Sequence, residues 1–234
     1  MHTRVEKLSM LRKSLSCAVA ALVLIAGAAS VHAEAPAAAE VFSHPQTPEE
    51  LSKLLGPVAG NLKSAAALRG QFIQRKYLKE LPQPLMSSGE YLVARGLGVF
   101  WHTQKPFDAT LVLTPQALIQ RGTDGSARKV SSEQQPGLRA VGQVFDALFT
   151  LDLAQLAQTF SLYGVPADKG DWELGLVPRE PAFAKVMNRV EITGSNQPGR
   201  IVLFEGSGDR TEIEFSGVKT QASLSDGERQ AFAP

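Results

Sequence analysis

The chain has 234 residues, 44% hydrophobic and 20% charged, with a formal net charge of +1. That length fits one domain, large enough for a substantial core or an enclosed cavity. With one cysteine and four histidines, it excludes a disulfide framework and a Cys-based zinc site.

The N-terminus carries Arg4, Lys7, Arg12 and Lys13, then an uncharged run from Leu15 to Ala29. "SVHAEA" follows, with small residues at Val31 and Ala33, so cleavage after Ala33 is expected. The apolar run, about 15 residues, is shorter than the ~20 needed to span a bilayer. Residues 1–33 therefore read as a secretory signal peptide. Cys17 lies at the start of the apolar run and leaves with it. Cleavage removes four Lys/Arg and one Glu from 24 basic and 23 acidic residues, leaving a mature net charge of −2. No basic stripe remains for nucleic acid or an anionic membrane. Disulfide-free export points to a bacterial periplasm.

Residues 34–46, rich in Ala and Pro, read as a flexible leader, with a single domain over 47–234. Thr47-Pro48-Glu49-Glu50 is a helix start: Thr47 as N-cap, proline at the first helical position, and Glu50 completing a capping box. Leu51, Leu54, Leu55, Val58 and Leu62 recur at helical spacing, and Gly56-Pro57 is expected to kink that helix. From residue 66 the pattern turns to strands: "GQFIQRKYL", "GEYLVAR", "GVFWHTQ", "FDATLVLT" and "ALIQRG". In "FDATLVLT", Phe107, Ala109, Leu111 and Leu113 share one face, and Asp108 and Thr110 the other. Thr123-Asp124-Gly125-Ser126 reads as a hairpin turn.

Residues 138–160 return to helical spacing. Val141, Val144, Phe145, Leu148 and Phe149 share one face, and Asp152 is placed to cap a second short helix through Leu153, Leu156 and Phe160. Strands resume with "SLYGVPA", "WELGLVP", "NRVEITGS", "GRIVLFEG" and "RTEIEFSGV". About ten strands result, with helices at the start and middle. A sheet of that size must curl. "RIVLFEG" is apolar on both faces, so both are expected out of water. The fold class is mainly β with α: a curved antiparallel sheet forming an incomplete, half-open barrel covered by helices.

Enzyme chemistry finds little support. The mature chain keeps only His44 and His102, too few and too far apart for a zinc site. There is no Gly-x-Ser-x-Gly elbow and no phosphate loop. "GSGD" at 206–209 reads as a turn. Glu212 and Glu214 share a strand face as a glycosidase pair would, but alternation with Ile213 and Phe215 makes them a solvated face, paired with Arg200 or Arg189 across strands. No cofactor or metal is expected.

Three stretches carry a resemblance. "RGQFIQRKYL" has Phe72 and Gln74 in Phe-x-Gln spacing. "SSGEYLVAR" has Ser87, Gly89 and Tyr91 in Ser-x-Gly-x-aromatic spacing. Arg95 and Trp101 stand six apart and are followed by "TQKP". Together these resemble the periplasmic outer-membrane lipoprotein carrier family, LolA, most strongly over residues 66–114. The chain departs from the family's pattern at Gly96, where a proline is usual, and at "LTPQALIQ", in place of an Asp-Gly turn and aromatic strand. It therefore reads as a divergent member.

The resemblance implies a LolA/LolB-like half-barrel whose helical lid encloses a hydrophobic cavity for acyl chains. Its partners would be acylated lipoproteins or other lipids, an inner-membrane exporter and an outer-membrane acceptor, with the carrier a monomer in a Gram-negative periplasm. Carried over, Arg95 is the lid latch, reaching carbonyls or a side chain in 138–160; the alternative is a strand-edge arginine paired with Glu90 or Asp108. Cavity candidates are Phe72, Tyr91, Leu92, Trp101, Leu111, Leu113, Phe145, Phe149, Leu203 and Phe215, each of which could instead be plain core packing. The leading function is a carrier moving lipoproteins from inner to outer membrane. The alternatives are a binding protein for a free lipid or glycolipid serving a dedicated exporter, and a scaffold with no ligand.

Overall fold

A computed structural model describes residues 40–122, 126–134, 137–166 and 171–233. The signal peptide, the first part of the leader and the Asp124-Gly125 turn lie outside the described residues. Among the described residues, five helices and twelve strands form the body of the molecule. Helix α1 (Pro48–Ser64) is followed by β2 (Ala67–Tyr77), β3 (Leu85–Ala94), β4 (Gly98–Lys105), β5 (Ala109–Leu113), β6 (Ala117–Gly122) and β7 (Ala127–Ser131). Helices α2 (Gly137–Thr150) and α3 (Leu153–Thr159) come next. A second run holds β8 (Phe160–Pro166), β9 (Trp172–Pro178), the short α4 (Pro181–Ala184), β10 (Met187–Gly194), β11 (Pro198–Glu205), β12 (Arg210–Gln221) and α5 (Asp226–Ala231).

All strands belong to one sheet in the order β1-β8-β9-β10-β11-β12-β2-β3-β4-β5-β6-β7, where β1 is Pro45–Gln46. Every neighbouring pair is antiparallel. Two meanders, β2–β7 and β8–β12, are stitched together where β12 pairs with β2 along ten register positions. The edges β1 and β7 do not pair, so the sheet stays open, as the half-barrel expectation requires.

The capping box forms as read from the sequence. The Glu50 amide donates to Thr47 Oγ1 at 3.2 Å, and the Thr47 amide donates to Glu50 Oε2 at 2.8 Å. Helix α1 then runs through Pro57 to Ser64 as one element, anchored by buried Leu51, Leu55, Ala59 and Leu62. Asp152 caps α3, its carboxylate accepting from the Gln155 amide at 3.2 Å.

Several expectations are corrected. The leader does not remain free to residue 46: Glu40–Ser43 form a 3-10 turn, β1 pairs with β8, and Val41 is buried. The reason is Phe42, whose ring packs edge-on to Tyr163 at 5.5 Å and covers the bare backbone of Gly175. Strand β7 was not anticipated, because "ARKVS" has too little apolar alternation to register. Phe107 does not continue the face of Leu111 and Leu113, since β5 begins only at Ala109 and Phe107 is 64% exposed in the preceding turn. Glu212 pairs with Arg200 at 3.3 Å as expected, but also with Arg210 at 3.1 Å, and its side chain is only 12% exposed rather than solvated.

The sheet's two faces carry separate cores. The inner face, under α1, α2 and α3, holds the larger one, running from Leu68 and Phe72 through Val93 and Leu113 to Ile192 and Ile201. On the outer face Ala67, Leu92, Ala94, Val112, Ala117 and Ile119 are covered by Phe232 at the end of α5. That helix begins with a second capping box, Ser225 with Glu228.

Candidate functional site: an aromatic interior and its closing charges

The inner face gathers its aromatics under α2. Strand pairing sets Phe72 of β2 opposite Phe215 of β12, and Tyr91 of β3 opposite Trp101 of β4. The Phe72 and Trp101 rings stack at 3.9 Å between centroids with 29° between planes. Tyr91 lies 5.1 Å from Phe215 and 5.9 Å from Phe149, and Phe149 lies 5.8 Å from Phe215. These offset and edge-on arrangements are favourable for aromatic pairs beyond simple burial. Phe149 belongs to α2, so the helix completes a cluster whose other four members come from four strands.

Space for this cluster is made by Gly70. A Cβ there would stand 3.0 Å from the Tyr91 ring and 2.9 Å from the Ser216 carbonyl oxygen, so a side chain would displace Tyr91. Burial pushes the Tyr91 hydroxyl well above its ordinary pKa, and it is neutral at any physiological pH.

Nine of the ten cavity candidates lie in the inner-face core. Phe72, Tyr91, Leu113 and Phe149 are buried in it, and Trp101, Leu111, Phe145, Leu203 and Phe215 pack against it from partly buried positions. Leu92 is the exception: one residue beyond Tyr91, it points to the opposite face and packs with Phe100 and Phe232. Its inclusion is corrected by the period-2 alternation of β3.

Arg95 lies in the turn between β3 and β4. Its guanidinium donates to the Leu62 carbonyl at 3.1 Å, and its amide donates to the Ala66 carbonyl at 3.0 Å. The bonded partner is therefore the C-terminal turn of α1, not the 138–160 segment. Carbonyls at a helix C-terminus lack intrahelical donors, so a cation is well placed there. Glu90 and Asp108 do not compete for Arg95. Both point to His102, at 3.3 Å from Nδ1 and 2.8 Å from Nε2. Burial alone would lower the pKa of His102, but hydrogen bonds to Asp108 and Glu90 raise it overall. Gly96, the departure after the arginine, has φ +72°. Proline cannot adopt that conformation, so this turn requires the substitution.

The α2 segment contributes a residue that sequence reading missed. Asp146 shares with Arg95, Leu62, Phe149 and Thr150 the wall of a cavity of about 20 Å³ between α1, α2 and the β3–β4 turn. Its carboxylate is half-buried and, among the described residues, has no hydrogen bond and no cation within 4 Å. Burial pushes its pKa up; the charge of Arg95 pulls it down by less, and Asp152 adds to the rise. The available signal was an acid beside Phe145 in an otherwise apolar helical run. Helix α2 ends at Leu151, fully buried with φ +49°, a left-handed conformation that is strained for a bulky residue. The Asp152 amide closes that end by donating to the Ala147 carbonyl at 2.9 Å.

Among the described residues, no three His, Cys, Asp or Glu side chains are grouped to hold a metal ion, and no helix is long and apolar enough to cross a membrane.

The profile of the family described as "Outer membrane lipoprotein carrier protein LolA" matches residues 63–230, from the end of α1 into α5. No curated protein matches the chain. Among solved structures, a LolA superfamily protein of Nitrosomonas europaea aligns at 12% identity and TM-score 0.41, covering 75% of this chain and 95% of that one. LprF of Mycobacterium bovis aligns at 14% identity and TM-score 0.34, covering 78% and 97%. A DUF1329 family protein of Desulfovibrio piger aligns at 9% identity and TM-score 0.34, also covering 78% and 97%.

Proposed function

The chain belongs to the LolA family, and from that premise we propose that it is a periplasmic carrier that takes up the acyl chains of lipoproteins and moves them from the inner to the outer membrane. Loading from an inner-membrane exporter and delivery to an outer-membrane acceptor belong to the same reading. The observation that carries it is the aromatic cluster. Four rings gather on the inner face of an open sheet, and Phe149 of a separate helix packs against two of them, Tyr91 and Phe215. Displacing α2 exposes an apolar surface ready for acyl chains, and closing it returns that surface to burial.

Phe72, Tyr91, Trp101, Leu111, Leu113, Phe145, Phe149, Leu203 and Phe215 line the space in this reading. Arg95 is the latch, holding the β3–β4 turn against α1 and presenting its charge to α2. A hydrogen bond from a charged group contributes about 1.5–3 kcal/mol, a scale that ligand binding can overcome. Complete burial of three acyl chains at ~0.8 kcal/mol per CH₂ would exceed the ~20 kcal/mol at which non-covalent affinity saturates. A carrier must release its cargo, so a filled, self-closing interior that opens partway suits delivery better than a deep permanent cavity.

Native mass spectrometry of the protein purified from periplasm tests the reading. A bound acylated peptide supports it. A peptide-free lipid moves the function to a dedicated lipid exporter, and an empty protein that also ignores an apolar fluorescent probe overturns both.

A further inference from the structure

Helix α2 carries two features that oppose its own closed position. The first is the Asp146 carboxylate, set in the wall of the junction with α1 and, among the described residues, without a hydrogen bond. Partial burial disfavours the charged form of a carboxylate, and the Arg95 charge offsets only part of that cost. The second is Leu151, held left-handed where helix ends usually place glycine. Among the described residues the charged groups facing Asp146 are Arg95 from the β3–β4 turn and Asp152 from the start of α3, with Lys63 of α1 lying 4.0 Å from Asp152. Arg95 already spends a donor on Leu62 and faces Asp146 across the small cavity, so its compensation is partial.

We propose that Asp146 sets the opening balance of α2: its ionised carboxylate weakens the closed lid and keeps the aromatic interior open to loading. This rests on the reading of α2 as a lid. Arg95 and Asp146 then have opposed effects although they carry opposite charges and lie together. Arg95 holds the junction shut through Leu62, while Asp146 limits how firmly it shuts. The sign with pH follows. The closed form binds the Asp146 proton more tightly than an open, solvated form, so closure strengthens as pH falls through the carboxylate range and is weakest above it.

Two readouts separate this proposal from the carrier reading. Hydrogen–deuterium exchange of the 142–150 amides reports lid opening, and fluorescence of 1-anilinonaphthalene-8-sulfonate reports access to the apolar interior. Asp146→Asn is expected to slow exchange of this segment about fivefold at pH 7. Relative to wild type, the difference should vanish towards pH 4. Asp146→Glu, which keeps the charge, should exchange as wild type does. Adding Asp146→Asn to Arg95→Leu should reverse part of the opening that Arg95→Leu causes, a rescue that simple loss of packing would not produce.

If Asp146→Asn exchanges at the wild-type rate or faster at pH 7, the proposal fails, even if the probe binds and the carrier reading stands. If exchange slows as expected while no form of the protein takes up the probe, the role of Asp146 stands and the carrier reading fails.

Discussion

Helices α1 and α2 lie on the same sheet face but are held in different ways. Helix α1 has a complete capping box, four buried residues along one stripe, and the Arg95 guanidinium on the Leu62 carbonyl of its last turn. Helix α2 buries Ala147, Leu148 and Phe149 near its C-terminal end, sets the Asp146 carboxylate in the junction with no hydrogen bond among the described residues, and finishes in the strained Leu151. The difference teaches that covering a core and being fixed to it are separate properties. Both helices bury apolar surface; α1 adds a complete capping box and a cation at its C-terminal turn.

The widest separation between them should come from core truncation. Leu55→Ala in α1 removes a side chain with no exposure, and such changes cost about 2–5 kcal/mol. Urea denaturation should show that loss as a lower midpoint for the whole domain. Phe149→Ala in α2 should cost less in the global transition than the 3–5 kcal/mol typical of a buried Phe, because part of the loss appears as local opening. Its signature is increased apolar-probe binding, which Leu55→Ala should lack at the same residual stability. Equal probe binding by the two variants would erase the comparison.

Next in size is Arg95→Leu, which removes a charged hydrogen bond worth about 1.5–3 kcal/mol from the α1 junction. The fold should survive, as judged by far-ultraviolet circular dichroism, while α2 exchanges faster and cargo release slows. Wild-type loading and release would end the latch assignment. A smaller effect is expected at the other end of α1. Thr47→Ala removes the N-cap for about 1 kcal/mol, lowering the melting temperature by about 2–4 °C without changing probe binding.

The smallest effect involves His102, outside both helices. Its pKa is raised in the folded state, so its bonds to Asp108 and Glu90 stabilise the fold most below about pH 6.5, the ordinary histidine value. That contribution is lost as pH rises through the raised value. Because both carboxylates are more than half exposed, the effect should stay under about 1 kcal/mol. His102→Gln should flatten this part of the stability–pH curve.

Much of the fold was legible because the signals are local. Thr47 and Glu50 find each other three residues apart, and Asp152 reaches Gln155 over the same distance. The strand spans from "GQFIQRKYL" to "RTEIEFSGV" follow from alternation bounded by glycine, proline and polar residues. What failed was less patterned. Strand β7 lacks apolar alternation, and β1 exists because Phe42 finds Tyr163 and Gly175 far along the chain. Leu92 was misplaced because β3 is buried on both faces near its end, so apolarity there does not distinguish them.

The sequence by itself determined where helices start, where strands run, and that one apolar stripe must cover another. These depend on backbone preferences and side-chain periods within a few residues. Only the tertiary structure decided that β12 lies beside β2, that Arg95 bonds to Leu62, and that Asp146 is drawn into the same junction. Each of these brings together groups dozens of residues apart. Their cost or benefit depends on water being excluded between them, and no local pattern carries that information.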